Sequence, residues 1–149
     1  MKMASSDVQP LLLDVNVLLA LAWPNHQFHG AVVRRLDRRP SRAWATCLLT
    51  QLGFVRLSSN PAIVGVTKTP GQALELLSRL ISDEHHVYLD KLPSLVSIES
   101  SFRSLLGHQQ VTDAYLVAIA EANDATLLTL DQRLVATVLT RHRVETIVP

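Results

Sequence analysis

Leu11-Leu12-Leu13-Asp14-Val15-Asn16 and Leu127-Leu128-Thr129-Leu130-Asp131 are two apolar runs, each ending in an aspartate. Continuous apolar runs of this length are the pattern of strands buried on both faces, which points to a parallel sheet covered by helices. In such a sheet the carboxyl ends of the strands open into a crevice, so Asp14 and Asp131 are placed on one acidic edge. Thr112-Asp113 opens Asp113-Ala-Tyr-Leu-Val-Ala-Ile-Ala-Glu121, which is apolar on nearly every side and reads as a covered central helix with Thr112 as its N-cap. A third carboxylate thus begins a helix at the buried end. Thr50-Gln51 adds a polar pair at a fourth boundary.

The rest of the chain alternates between the two periods. Strands are predicted at Leu11 to Leu13, Trp44 to Cys47, His86 to Leu89, Ala125 to Leu130 and Val144 to Val148. Helices are predicted at Val17 to Ala22, stopped by Pro24, and at Gln27 to Arg39, closed by Pro40. Another runs through Leu48, Leu52 and Val55 to a stop near Ser58-Ser59-Asn60-Pro61, and a fourth from Thr69-Pro70 to Ile81. The series ends with Ile98 to Leu106, where Gly107 is the expected C-cap, then Asp113 to Ala122 and Asp131 to Leu139. This alternation predicts an α/β fold, a three-layer α/β/α sandwich with a mostly parallel central sheet. Residues 1–149 fit a single domain, with 1–10 as a flexible or loosely packed N-terminus.

Composition narrows the function classes. The formal charge of +1, from 14 basic and 13 acidic residues, does not advertise nucleic-acid binding by itself. The one cysteine, Cys47, excludes an internal disulfide and reads as a small buried hydrophobe, and the opening residues lack the apolar core of a signal peptide. A cytoplasmic location is expected. The apolar run Val17 to Trp23 is far below the roughly 20 residues that span a bilayer, so no membrane association is expected. There is no Cys/His set with zinc spacing and no glycine-rich phosphate loop.

Carboxylates at strand ends and a helix start suit hard cations such as Mg²⁺ or Mn²⁺, which take oxygen ligands and keep several waters. Such ions lower the pKa of a bound water and neutralise charge on a leaving oxygen, the requirements of phosphodiester hydrolysis. Each acid alone has a plainer reading as a helix cap or a dipole partner. It is their conjunction at three element boundaries that points to a metal.

Around these residues the chain resembles the PIN-domain ribonucleases, and among them the VapC-type toxins of bacterial toxin-antitoxin pairs. The resemblance rests on Leu-Leu-Asp14-Val-Asn16-Val-Leu, Thr-Gln51-Leu-Gly-Phe-Val-Arg56 with Ser59-Asn60-Pro61, Val-Thr-Asp113-Ala-Tyr-Leu-Val-Ala-Ile-Ala, and Leu-Leu-Thr-Leu-Asp131. It implies a Mg²⁺-dependent endoribonuclease, with Mn²⁺ as substitute, that cleaves structured RNA to leave a 5′-phosphate. It also implies a cognate VapB-type antitoxin and a homodimer. By position, Asp14, Asp113 and Asp131 become the catalytic, metal-binding carboxylates, and Asn16 and Thr112 groups that hold them.

The departure is Gln51, where the family usually has glutamate. No acid lies between Asp37 and Glu75 to replace it. An amide oxygen still accepts hydrogen bonds or ligates weakly, but brings no charge. The alternative is therefore a catalytically weak or inactive module that binds RNA or protein.

Other residues have two readings each. Arg34, Arg35, Arg38, Arg39 and Arg42 form adjacent rows on a helix, suited either to RNA phosphates or to the helix C-terminal dipole. Arg56 either holds a phosphate at the crevice mouth or buttresses the fold. His26 and His29, after the first strand, suit proton transfer or ordinary surface and capping roles. Trp23, Trp44, Phe54 and Phe102 read as core or interface residues. Phosphate contacts do not read sequence, so the target RNA is not legible.

Overall fold

The computed structural model describes residues 9–38, 43–103, 105, 107–134 and 143–148. Five strands, β1 (Leu11–Leu13), β2 (Trp44–Cys47), β3 (His86–Leu89), β4 (Thr126–Thr129) and β5 (Val144–Thr146), form one sheet in the order β3-β2-β1-β4-β5. Every pairing is parallel. From β1 the chain first winds outward to β2 and β3, and later returns to the other side as β4 and β5. The order therefore reverses between β1 and β4, and in such sheets the crevice at that reversal is where ligands bind.

The pleat sends alternate side chains to opposite faces. Leu11, Leu13, Trp44 and Leu128 join Val17, Leu18, Val32, Phe54 and Leu77 in one core. Leu12, Ala45, Cys47 and Leu127 join Leu116, Val117, Ile119 and Ala120 in the other. The first core is closed by α1 (Val15–Ala22), α2 (His29–Asp37), α3 (Leu48–Ser58) and α5 (Pro70–Leu80); the second by α7 (Val111–Ala122). Leu11, Leu12, Leu13, Leu127 and Leu128 are fully buried, as a sheet covered on both faces demands.

The α1–α3 contact is set by Gly53. A Cβ there would sit 2.8 Å from Cγ2 of Val15, so only glycine lets α3 approach the helix that follows Asp14. Cys47 is buried, and its backbone N–H donates to Oγ1 of Thr50 at 3.0 Å, closing the β2–α3 junction.

Four boundaries differ from expectation. The stop at Ser58 to Pro61 is followed at once by a short helix, α4 (Pro61–Val64), because Asn60 accepts from the N–H of Ala62 and Pro61 supplies the first-turn φ. The predicted helix from Ile98 to Leu106 contracts to a 3₁₀ turn at Val96–Ile98 and α6 (Glu99–Phe102), and among the described residues no longer helix follows. Val96 is 84% exposed, so this stretch lacks the apolar face that holds a longer helix. Among the described residues Gly107 ends no helix; it is the extended residue before a 3₁₀ turn at His108–Gln110 that leads into α7. That turn moves the start of α7 to Val111, with Gln110 at the N-cap, so Thr112 lies inside the first turn.

Of the expected loose N-terminus, Gln9 and Pro10 are tied down: Pro10 accepts from the N–H of Thr126 and Gln9 bonds Thr126 and Asp124. Residues 1–8 lie outside the description, as does most of the helix expected from Asp131 to Leu139. Among the described residues no helix is long and apolar enough to cross a membrane.

Candidate active site

The β1–β4 pairing continues one step past β1, where the N–H of Asp14 donates to the carbonyl of Leu128 at 3.0 Å. This fixes the Asp14 backbone at the carboxyl edge, beside the end of β4. The Asp14 side chain then caps α1: Oδ1 accepts from the N–H of Val15 at 2.7 Å. Its other oxygen, Oδ2, accepts from the hydroxyl of Thr129 at 2.9 Å. Thr129 is fully buried, and its Oγ1 also accepts the backbone N–H of Asp131 at 3.0 Å. One hydroxyl therefore links the two strand-end acids.

Asp113, in the first turn of α7, completes the group from the opposite layer. Burial, then the like charges of Asp14 and Asp131, push its carboxyl up to about 6, against a partial offset from Arg133. The Asp14 carboxyl is also raised, chiefly by burial and further by Asp131, while the bonds from Thr129 and Val15 pull the other way. The three carboxylates thus feel one another across the crevice.

Among the described residues no three His, Cys, Asp or Glu side chains are drawn together tightly enough to enclose an ion as they stand. The donor chemistry nevertheless fits a hard divalent cation: oxygen ligands only, partly desolvated, with mutual repulsion that a cation relieves. Arg133 is the nearest compensating charge, its Nε 3.3 Å from Oδ1 of Asp131, but it is 90% exposed. A screened surface contact of that kind offsets little.

Gln51 occupies the first turn of α3, at the same edge. Its Nε2 donates to Oγ1 of Thr46 at 3.0 Å, and that oxygen is hydrogen-bonded to Nε2 of His86 at 2.8 Å. The amide is held through β2 and β3 and makes no hydrogen bond to the aspartates. Asn16, on α1, and Thr112, on α7, are exposed, and neither bonds Asp14, Asp113 or Asp131 among the described residues. Thr129 does what was expected of them. Its role carries no sequence signal, because an isolated threonine in an apolar strand is indistinguishable from a β-former.

The arginines separate. Arg35 is buried and forms a two-pronged ion pair with Glu145 of β5, through Nε and through Nη2 at 2.8 Å. It is a strut between α2 and the sheet, which corrects its placement among surface phosphate contacts. Arg34 and Arg38 are exposed and line a cleft of about 750 Å³ beside that pair. Arg56 is exposed at the end of α3 without an ion pair among the described residues, whereas Arg39 and Arg42 lie outside them. His29 donates from Nδ1 to the carbonyl of Ala20 at 2.7 Å, tying α2 to α1. His26 lies in the loop between those helices, its Nδ1 accepting the N–H of Phe28 at 3.1 Å.

Comparison with known proteins agrees with this geometry. The family model described as the PIN domain matches residues 11–138. Ribonuclease VapC39 of Mycobacterium tuberculosis is 39% identical over 124 residues, covering 83% of this chain and 89% of its own. Ribonuclease VapC38 of the same organism is 37% identical over 120 residues, 80% of this chain and 84% of its own, and Ribonuclease VapC44 38% over 127 residues, 85% and 89%. The parallel sheet, the acids around its β1–β4 crevice and these relatives agree: the chain belongs to the PIN-domain family and is of the VapC type.

Proposed function

We propose that this protein is a Mg²⁺-dependent endoribonuclease, with Mn²⁺ as substitute, and the toxin of a VapBC-type pair. The observation that carries the reading is the convergence of Asp14, Asp113 and Asp131 at the β1–β4 crevice, with Thr129 linking two of them. The names of the VapC relatives support RNA as substrate.

A bound divalent ion supplies a water of lowered pKa and neutralises charge building on the phosphate and leaving oxygen. The chain's own residues supply the rest. Asp14 and Asp131 are held at the strand ends, Asp14 by two hydrogen bonds and Asp131 by its N–H on Thr129. Asp113, pushed up to about 6 by burial and by the like charges of Asp14 and Asp131, gives up its proton between mildly acidic and neutral pH, where its charge becomes available to a cation. Arg34 on α2, Arg38 just past its end and Arg56 on α3, all exposed, hold RNA phosphates without reading bases.

Leu48 and Leu52 on α3 and Leu74 on α5 are 46%, 59% and 56% exposed on helices that pack together, which supports a homodimer through that face. The antitoxin's role is to cover the acidic crevice.

A second reading, a weakly catalytic PIN module that binds RNA or protein, is favoured by Gln51, whose amide nitrogen is committed to Thr46. Incubation of total RNA with antitoxin-free protein separates the two. The ribonuclease reading expects discrete fragments with 5′-phosphate ends, lost with EDTA and in folded Asp14→Asn. RNA binding without cleavage at any Mg²⁺ or Mn²⁺ concentration supports the second.

A further inference from the structure

α1, the loop that follows it and α4 enclose a small pocket of about 160 Å³. Pockets for drug-sized ligands run about 300–1,000 Å³, so this one is scaled to a single flat ring system. Leu19, Ile63 and Val64 give it apolar surface and Trp23 an aromatic wall. The indole is fixed by donation from Nε1 to the hydroxyl of Ser58 at 3.1 Å, and Nζ of Lys68 lies 5.7 Å from its ring centroid.

The remaining lining is polar and, among the described residues, uncommitted. Asn16 and Asn25 have no side-chain hydrogen bond there, so each amide offers a donor and an acceptor. The Nδ1 of His26 accepts a backbone N–H, which places the ring proton on Nε2 as a free donor. Burial also lowers the His26 pKa, keeping the ring neutral. An apolar ligand would leave these groups unmatched, and Lys68 at the indole wall gives the site a positive edge that suits the phosphate attached to a base. A nucleobase satisfies both halves, with faces that stack on an indole and an edge of donors and acceptors.

Asn16 connects the pocket to the chemistry, since it lies two residues from Asp14 on the first turn of α1. We propose that this pocket is a nucleobase subsite, in which Trp23, Asn16, Asn25 and His26 hold one base of the RNA next to the phosphodiester at the aspartates. The proposal rests on the ribonuclease reading for the identity of its ligand. It moves His26 from proton transfer to base recognition, and gives the protein a base preference at one position near the cut.

The test is a titration of metal-free protein, read at the Trp23 indole N–H resonance, with AMP, GMP, CMP and UMP, and with ribose 5-phosphate as the probe lacking a base. At least one nucleotide is expected to shift the resonance saturably while ribose 5-phosphate does not. Ile63 is 54% exposed, so Ile63→Trp can plug the pocket without loading the core. Ile63→Trp and the surface variant Asn25→Ala are each expected to weaken binding at least fivefold, and in RNA cleavage to act on KM rather than kcat. No shift by any nucleotide, equal shifts by ribose 5-phosphate, or full affinity in both variants overturns the subsite. Absence of RNA cleavage by the wild type would instead refute the ribonuclease reading, and the titration would still decide the pocket.

Discussion

Thr129 donates its hydroxyl to Asp14 across the β1–β4 reversal at 2.9 Å, and the same oxygen receives the backbone N–H of Asp131 at 3.0 Å. Thr129→Val keeps the β-branched shape and leaves a largely buried carboxylate oxygen unpaired. A loss of about 1–3 kcal/mol is expected in urea unfolding, together with a higher Mg²⁺ concentration for half-maximal cleavage. Thr129→Ser should restore both. Wild-type stability and metal response in Thr129→Val would remove the residue from the site.

The like-charge pressure on Asp113 gives a signed pH dependence. Burial and the neighbouring carboxylates push its pKa from the ordinary aspartate value of 3.8 up to about 6 in the fold. The native state therefore holds the proton more tightly, and this group's contribution to metal-free stability is full below about 3.8 and lost as pH rises through 6. The difference in Tm between wild type and Asp113→Asn, followed from pH 4 to 8 without metal, should move against the wild type across that window. Mg²⁺ should raise the wild-type Tm more at pH 7.5 than at pH 5. A flat difference would contradict the coupling.

Gln51 bonds Thr46 and none of the aspartates, so a fourth charge is absent from the crevice. Gln51→Glu is expected to lower the Mg²⁺ concentration for half-maximal cleavage by roughly tenfold, since affinity for hard cations is tuned by ligand charge. The check is a Mg²⁺ titration of initial rates for both proteins. An unchanged midpoint would mean that position 51 does not reach the metal.

Gly53→Ala places a methyl 2.8 Å from Val15 Cγ2. Overpacking of this kind costs about 1–3 kcal/mol, and Val15→Ala in the same chain should return part of it. Thermal unfolding of the two single variants and the double variant measures the coupling. Additive effects would show that the α1–α3 contact relaxes elsewhere.

Arg35 and the other arginines should behave differently. Arg34→Gln and Arg38→Gln are each expected to reduce the salt dependence of RNA binding by about one unit of slope with little change in stability. Arg35→Met is expected to cost about 2 kcal/mol of stability, because it removes the two-pronged pair that joins α2 to Glu145 on the sheet, itself about one-third exposed. Binding isotherms at several salt concentrations, with urea unfolding alongside, separate the two classes.

The sequence was legible where pattern and physics coincide. Leu11 to Leu13 and Thr126 to Thr129 are buried because the sheet is covered on both faces, and their apolar runs announced this along with the acids that follow them. The stretch from Val96 to Phe102 misled because Val96 is exposed rather than packed, and a 3₁₀ turn at Val96–Ile98 takes the place of helix. Arg35 and Arg34 read alike in one helix. Only the partner on β5, more than a hundred residues away, distinguishes a strut from a surface cation. Thr129 and the Thr46–His86 anchor of Gln51 are likewise cross-strand relationships, which short-range spacing does not encode.

The most direct measurement is the initial rate of RNA cleavage against Mg²⁺ concentration for the wild type and for Asp14→Asn, Asp113→Asn and Asp131→Asn, each first shown to be folded. Metal-dependent cleavage is expected of the wild type, and a loss of at least a hundredfold in every variant, about 2.7 kcal/mol of transition-state stabilisation. Cleavage that persists in EDTA, or a folded aspartate variant that cleaves at the wild-type rate, would contradict this mechanism.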